Sequence, residues 1–268
     1  MNDTTNKLEK GDKLIDEGKF KEAITEYLEL LESEPKNVEV LINLGIAYSH
    51  LNDFEQAFLY FQQAQELDPE NPYLWLHLGI ACEKSGELDN AITYTKNAIH
   101  LQPSYIDGLI NLGVKLVERG EIEKALSCFE LAAQLHPENP KIHTTIGVCY
   151  LNLGDYRQAI SVFDIALILN PEDVIALQNK GFCQLQLREL KQAEASYLQV
   201  IALAPEDGIS WYNLTCVYAL SNKHSKAIEA LQKAVALDSE TKALAKIDKD
   251  LDPIRNSEEF IKILEERS

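Results

Sequence analysis

The sequence predicts an all-α chain of seven stacked helix–turn–helix units, closed by C-terminal capping helices. Three residue series predict it. Pro35, Pro69, Pro103, Pro137, Pro171 and Pro205 follow one another at steps of 34 residues, without insertion. Ala23, Ala57, Ala91, Ala125, Ala159, Ala193 and Ala227 keep the same step, as do Gly11, Gly45, Gly79, Gly113, Gly147 and Gly181. A fixed period of this length means one supersecondary unit repeated head to tail, each copy burying its apolar face against its neighbours.

Counting from Thr4, after a lead-in of residues 1–3, the units are 4–37, 38–71, 72–105, 106–139, 140–173, 174–207 and 208–241. In 38–71, Leu41, Leu44, Gly45 and Tyr48 recur at helical spacing and form one stripe. After a break at Asn52-Asp53, the residues Phe54, Ala57, Phe61 and Ala64 form a second. Pro69 lies beyond, where a helix could not continue through it. Each unit is therefore a helix A, a tight turn, a helix B and a short loop.

The small residues predict close approach. At Gly45 and Ala57 the helices are expected almost in backbone contact, with Leu44, Tyr48 and Phe61 filling the space around. The units end in Asn37, Asn71, Tyr105, Asn139, Asp173 and Asp207, and the Asn and Asp side chains are expected to cap the next helix A. Pro72 and Pro140 follow at the favoured first helical position. Gly18, Gly86, Gly120 and Gly154 stand at the A–B turn, where a positive φ is expected.

This pattern resembles the tetratricopeptide repeat family. Trp75, Leu78 and Gly79 match its W-x-x-L-G start, and Ala91, Ala98 and Pro103 its later signature positions. The resemblance spans residues 4 to about 241 and implies a right-handed α-solenoid, a superhelix whose A helices line a concave groove. Departures concentrate late: Lys180 for Leu, Arg188 for the turn glycine, Thr215 for Gly and Ser239 for Pro, which predicts looser packing or a shifted groove there.

Terminal units need polar outer faces. The first helix, around Lys7 to Lys13, is the least apolar of the A helices. Residues 242–268 break the period and are expected to cap the array. Lys242 to about Leu251 reads as a solvating helix, Asp252-Pro253 as a turn, and Asn256 with Glu259 as the cap of a final helix carrying Phe260, Ile263 and Leu264. An arm that docks in a groove is the alternative.

The chain has 25 Lys and Arg against 43 Asp and Glu, a net charge of −18, which argues against nucleic acid and against anionic membrane surfaces. Residues 1–71 hold 6 basic and 16 acidic side chains, residues 208–268 hold 9 and 10, so a basic partner would meet the N-terminal end first. Solubility accounts for the acidity as well. Cys82, Cys128, Cys149, Cys183 and Cys216 form no C-x-x-C pair and read as thiols among apolar helix residues, with Cys216 the most reactive. The N-terminus has no apolar signal core and no long uncharged apolar run follows, so a cytoplasmic location is expected. His50, His77, His100, His136, His143 and His224 fall at six different repeat positions, and no nucleotide or hydrolase motif is present. No enzyme activity, metal or cofactor is expected.

In tetratricopeptide proteins, A-helix positions 2, 5, 6, 9, 12 and 13 face the groove. Carried over, the sixth position holds Glu9, Asn43, His77, Asn111, Thr145, Asn179 and Asn213. A carboxamide offers a donor and an acceptor together, so such a row could hold a peptide backbone with little regard to its sequence. It is similar to the asparagine ladder in the repeat region of O-GlcNAc transferase, interrupted here at His77 and Thr145. Family consensus alone would also place Asn there. Apolar candidates are Ile42, Ile46, Tyr73, Leu76, Ile80, Ile110, Val114, Val117, Val148, Leu151, Phe182 and Tyr212, and the groove charges are expected chiefly at Glu83, Lys84, Asp107 and Lys141. The Lys and Asn clamp by which relatives grip acidic chaperone tails is missing, since the ninth position is never Asn and the fifth never Lys.

The expected function is that of an adaptor or scaffold. It would hold a partly apolar, extended or helical segment of another protein, possibly a basic one, in the groove. The alternatives are a self-associating structural protein, and a regulatory or assembly subunit of a larger complex.

Overall fold

A computed structural model describes residues 2–265, with side chains from Lys7 onward. Among these residues all regular structure is helical. The chain divides between Leu135 and His136 into two compact units. The first holds α1 (Asn2–Asp16), α2 (Phe20–Ser33), α3 (Val38–His50), α4 (Phe54–Leu67), α5 (Pro72–Lys84), α6 (Leu88–Leu101), α7 (Ile106–Glu118) and α8 (Ile122–Leu135). The second holds α9 (Pro140–Asn152), α10 (Tyr156–Leu169), α11 (Val174–Gln186), α12 (Leu190–Leu203), α13 (Gly208–Leu220) and α14 (His224–Leu237). It ends in α15 (Thr241–Ile247), a 3₁₀ turn (Lys249–Leu251) and α16 (Glu258–Glu265). Within each unit each helix up to α15 packs on the one before it, the arrangement of an α-solenoid, and α16 packs on α14.

Local chemistry starts and stops these helices as expected. The side chains of Asn37, Asn71, Asn139, Asp173 and Asp207 accept hydrogen bonds from backbone N–H groups of the helices they precede. Tyr105 makes no such bond. Asp53 and Asp155 do the same for two B helices. The A–B turn needs a left-handed residue in every repeat, and Gly86 adopts φ 88° there. Asn52, Arg188 and Asn222 take the same conformation without being glycine.

The aromatic residues at the fourth position of helix A have a defined task. The indole N–H of Trp75 donates to the Pro69 carbonyl at 2.7 Å, and that of Trp211 to the Pro205 carbonyl at 3.0 Å. His143 Nε2 lies 2.7 Å from the Pro137 carbonyl. Each ties the start of a helix A to the loop before it.

The A-helix glycines differ from expectation. They do not bring two backbones together. The ring of a B-helix aromatic packs on them instead, and a Cβ at Gly45 would stand 2.5 Å from the Phe61 ring. Gly11 meets Tyr27, Gly113 Phe129, Gly147 Phe163 and Gly181 Tyr197 in the same way. Among the glycines of the 34-residue series only Gly79 has backbone, the Ala91 carbonyl at 3.0 Å, among its nearest atoms, because Thr95 stands where the ring would be. These rings are fully buried, whereas Tyr48 is half-buried and stacks on Tyr60 at 5.5 Å. The Tyr197 hydroxyl is buried without a hydrogen-bond partner among the described residues.

The expected loosening at Thr215 does not occur. Thr215 is fully buried with its hydroxyl on the Trp211 carbonyl at 2.9 Å, and the position that elsewhere carries the aromatic ring is the smaller Leu231. Lys180 pairs with Asp164 at 2.6 Å, and Arg188 with Asp250 at 2.9 Å.

At the C-terminus Ala245, Leu251, Ile254, Phe260 and Ile263 join the core of α13 and α14. The final helix is capped by Ser257 rather than Asn256: its hydroxyl accepts from the Phe260 N–H at 3.3 Å. The Arg255 guanidinium donates to the carbonyls of Ala245, Lys246 and Asp248, holding the 3₁₀ segment closed.

Candidate functional site

In the first unit residues of α1, α3 and α5, with Tyr27 of α2, line a cleft of about 710 Å³. Ile15, Val38, Ile42 and Ile46 supply its apolar wall, and Tyr27, Tyr73, His50 and His77 its rings. Asp12, Asp16, Glu39, Asn43, Asp68 and Asn71 provide the polar groups. Five of the sequence candidates, Ile42, Asn43, Ile46, Tyr73 and His77, thus meet at one place. Ile46 is buried with one edge on the cleft, while Tyr73 is 44% exposed.

Asp12 is the organising group. Its Oδ1 accepts from the Tyr27 hydroxyl at 2.7 Å and from the Asn43 amide at 2.9 Å. These bonds fix the carboxylate without neutralising it. Burial, and after it Asp12, pushes the Tyr27 hydroxyl pKa up, since ionisation there would place a second negative charge beside the first. Burial followed by Asp12 and Glu39 does the same to Tyr73.

His77 stands edge-on to Tyr73, with ring centroids 4.2 Å apart. Burial, helped by His50 and Lys84, lowers its pKa to about 4, so the ring is neutral at physiological pH. Lys84 Nζ lies 3.4 Å from His50 Nδ1. None of Asp12, Asp16, Glu39 and Asp68 pairs with a Lys or Arg among the described residues. Asp12, Asp16 and Glu39 stand at A-helix positions expected to face the groove but were not among the groove charges expected from sequence, and Asp68 comes from the loop before α5.

The other candidates are distributed differently. Asn111 sits 3.2 Å from the Thr95 hydroxyl, and Asn179 donates to its own helix at the Ile175 carbonyl, 2.9 Å away. With Asn43 bound to Asp12, one end of each of these carboxamides is engaged within the protein. Val114 is 42% exposed, and Ile80 is half-buried. In the second unit Phe182 is half-buried edge-on to Tyr156, and Asn213 is half-buried. Leu76, expected on the groove, is buried.

Two expectations fail beside the C-terminal segment. The Tyr212 hydroxyl donates to Asp248 at 2.7 Å, so this residue faces the 3₁₀ segment and not an open groove. Cys216 is buried, with Sγ 3.6 Å from the same carboxylate, and burial and Asp248 push its pKa well up. It is the opposite of a reactive thiol.

Glu83, expected as a groove charge, forms an ion pair with Lys115. Lys115 is fully buried at a position where the first repeat carries Lys13 and the others Ala, Cys or Val. Nothing in the period marks it, and its partner lies in the preceding repeat. Among the described residues no group of His, Cys, Asp and Glu is placed to hold a metal ion, and no helix is long and apolar enough to cross a membrane.

Family models of the tetratricopeptide repeat match residues 8–72, 51–106 and 184–240, and a further one matches 116–178. The chain is a tetratricopeptide repeat protein. Among solved structures, this repeat protein is similar to the C-terminal part of a TPR repeat-containing protein from Cytophaga hutchinsonii, at 18% identity and a TM-score of 0.71. That match covers 92% of this chain and 99% of the other. MamA is 29% identical, with a TM-score of 0.53, over 64% of this chain and 94% of its own. YrrB, described as a TPR protein with an unusual peptide-binding site, is 23% identical with a TM-score of 0.60, over 67% and 92%. No curated protein matches the chain.

Proposed function

We propose that this repeat protein is a scaffold that holds a segment of a partner protein against the face made by α1, α3 and α5. Membership of the repeat family supports a role in protein interaction. The observation that carries the specific reading is the open cleft with exposed Tyr73 on its rim and a carboxylate preset inside it. Apolar wall, rings and fixed acceptors are the groups that recognise an extended chain or an amphipathic helix. The asparagine row extends the reading: Asn43, Asn111, Asn179 and Asn213 would each offer the free end of a carboxamide to a partner, alongside Ile80, Val114 and Phe182. The test is capture of proteins from a native-cell lysate on the immobilised full chain. A partner retained by the wild type and by Glu123→Ala on the outer face, but lost with Tyr73→Ala, is expected. Retention unaffected by Tyr73→Ala would overturn the assignment.

Self-association is a second reading, favoured by the exposure of Ile168, Ile209 and Ile247 in the second unit, at 79%, 68% and 77%. Sedimentation at micromolar concentration decides it, a dimer supporting and a monomer excluding it.

A further inference from the structure

We propose that the α1–α3–α5 cleft selects its partner by an arginine side chain, which enters beside Asp12 and lies against the rings of Tyr73 and His77. The inference rests on the proposed docking of a partner segment and adds what that segment must carry.

Charge complementarity is the first argument. Asp12, Asp16, Glu39 and Asp68 line one cleft and have no Lys or Arg partner among the described residues, although exposed acids elsewhere do find one: Glu29 pairs with Lys7, and Asp89 with Arg119. Lys84 stands only at the His50 end. A cation entering the cleft meets acids that no internal cation has satisfied.

The second argument is preorganisation. The two hydrogen bonds to Asp12 both fall on Oδ1, from Tyr27 and Asn43. They hold the carboxylate in one orientation and leave Oδ2 for an incoming donor, so little ordering is left for the partner to impose. A guanidinium, planar and forked, matches a fixed carboxylate better than an ammonium does.

The third is the surface beside the acid. Tyr73 and His77 bring their rings to the same cleft, and guanidinium stacks on such rings. His77 makes a ring contact with Tyr73 but no hydrogen bond among the described residues, and being neutral it does not repel a cation. The remaining wall of Ile15, Val38, Ile42 and Ile46 suits apolar neighbours of the arginine.

The experiment selects ten-residue peptides from a random phage-displayed library on the immobilised full chain. The best binder is then compared with its citrulline analogue, which keeps the shape of arginine and lacks the charge. Arginine flanked by apolar residues should be enriched. Citrulline should weaken binding by about tenfold or more at low salt, as expected for a charge-assisted hydrogen bond, and the gap should close in 0.5 M salt. In Asp12→Asn, which keeps an acceptor for Tyr27 and Asn43, the two peptides should bind alike. Glu39→Gln, on an exposed side chain, should narrow the gap without any demand on folding.

Enriched peptides that lack arginine, yet are lost with Tyr73→Ala, would overturn this inference and leave the docking reading intact. Arginine peptides indifferent to both Asp12→Asn and Glu39→Gln would place the charge recognition elsewhere and overturn it as well. A selection without any enrichment would remove the docking reading and this inference with it.

Discussion

Gly45 on α3 and Phe61 on α4 are a complementary pair: the ring occupies the space that a Cβ at Gly45 would need, 2.5 Å from Cε1. Sixteen residues separate them, and the same spacing links Gly11 to Tyr27, Gly113 to Phe129 and Gly147 to Phe163. Gly45→Ala should therefore destabilise the first unit by about 2–3 kcal/mol, the cost of overpacking a filled site. Phe61→Leu should cost about 1–2 kcal/mol alone, yet the double variant should be more stable than the sum of the two losses by at least about 1 kcal/mol. Unit seven already uses this solution in Thr215 and Leu231. Denaturant unfolding of all four proteins measures the coupling, and strict additivity would refute it.

The Lys115–Glu83 pair predicts an asymmetry. Glu83→Gln leaves a buried ammonium without its counter-charge and should cost about 2–3 kcal/mol, discounted because Glu83 is itself 34% exposed. Lys115→Met replaces the buried charge by an apolar side chain of similar length and should cost less than about 1 kcal/mol. Thermal melts of the two variants give the comparison. A larger loss from Lys115→Met would mean that the pair contributes net stability.

Thiol labelling should rank the cysteines by access and by thiolate content. Cys128 is half-buried and should react first. Cys82 and Cys183 are buried, and burial pushes both pKa values up to about 11. Cys216 should be the slowest of all, held under Asp248. Substituting Asp248 by Ala should speed the labelling of Cys216, since the carboxylate beside it disfavours the thiolate. Mass spectrometry after timed labelling reads the order directly.

His77 predicts a pH dependence. Its folded pKa of about 4 lies below the ordinary imidazole value of 6.5. The unfolded chain therefore binds the extra proton first, and stability conferred by the neutral ring is full above pH 6.5 and lost as pH falls towards 4. His50, Lys84 and Tyr73 lie around the ring, and Asp12, Asp16, Glu39 and Asp68 share its cleft. The loss should reach no more than about 3 kcal/mol. His77→Gln should flatten that part of the profile, measured by hydrogen exchange of α3 and α5 between pH 4 and 7. An unchanged slope would assign the acid sensitivity to other groups.

The sequence by itself determined the period, the helix pairs, the caps and the turns, because each is decided within a few residues of chain. Asn71 caps α5 through its own neighbours' N–H groups, and the turn after α5 takes Gly86 because φ must be positive there. Repetition then made each local preference visible several times over. Only the tertiary structure decided what the chain does with residues far apart in sequence. Asp12 meets Tyr27 and Asn43 from three helices, Lys115 meets Glu83 across a repeat boundary, and Asp248 seals Tyr212 and Cys216. Those encounters depend on side-chain direction and burial, which a shared period does not encode. The most periodic positions were accordingly the easiest to read, and the polar groups that break the period are where the cleft and its charge were found.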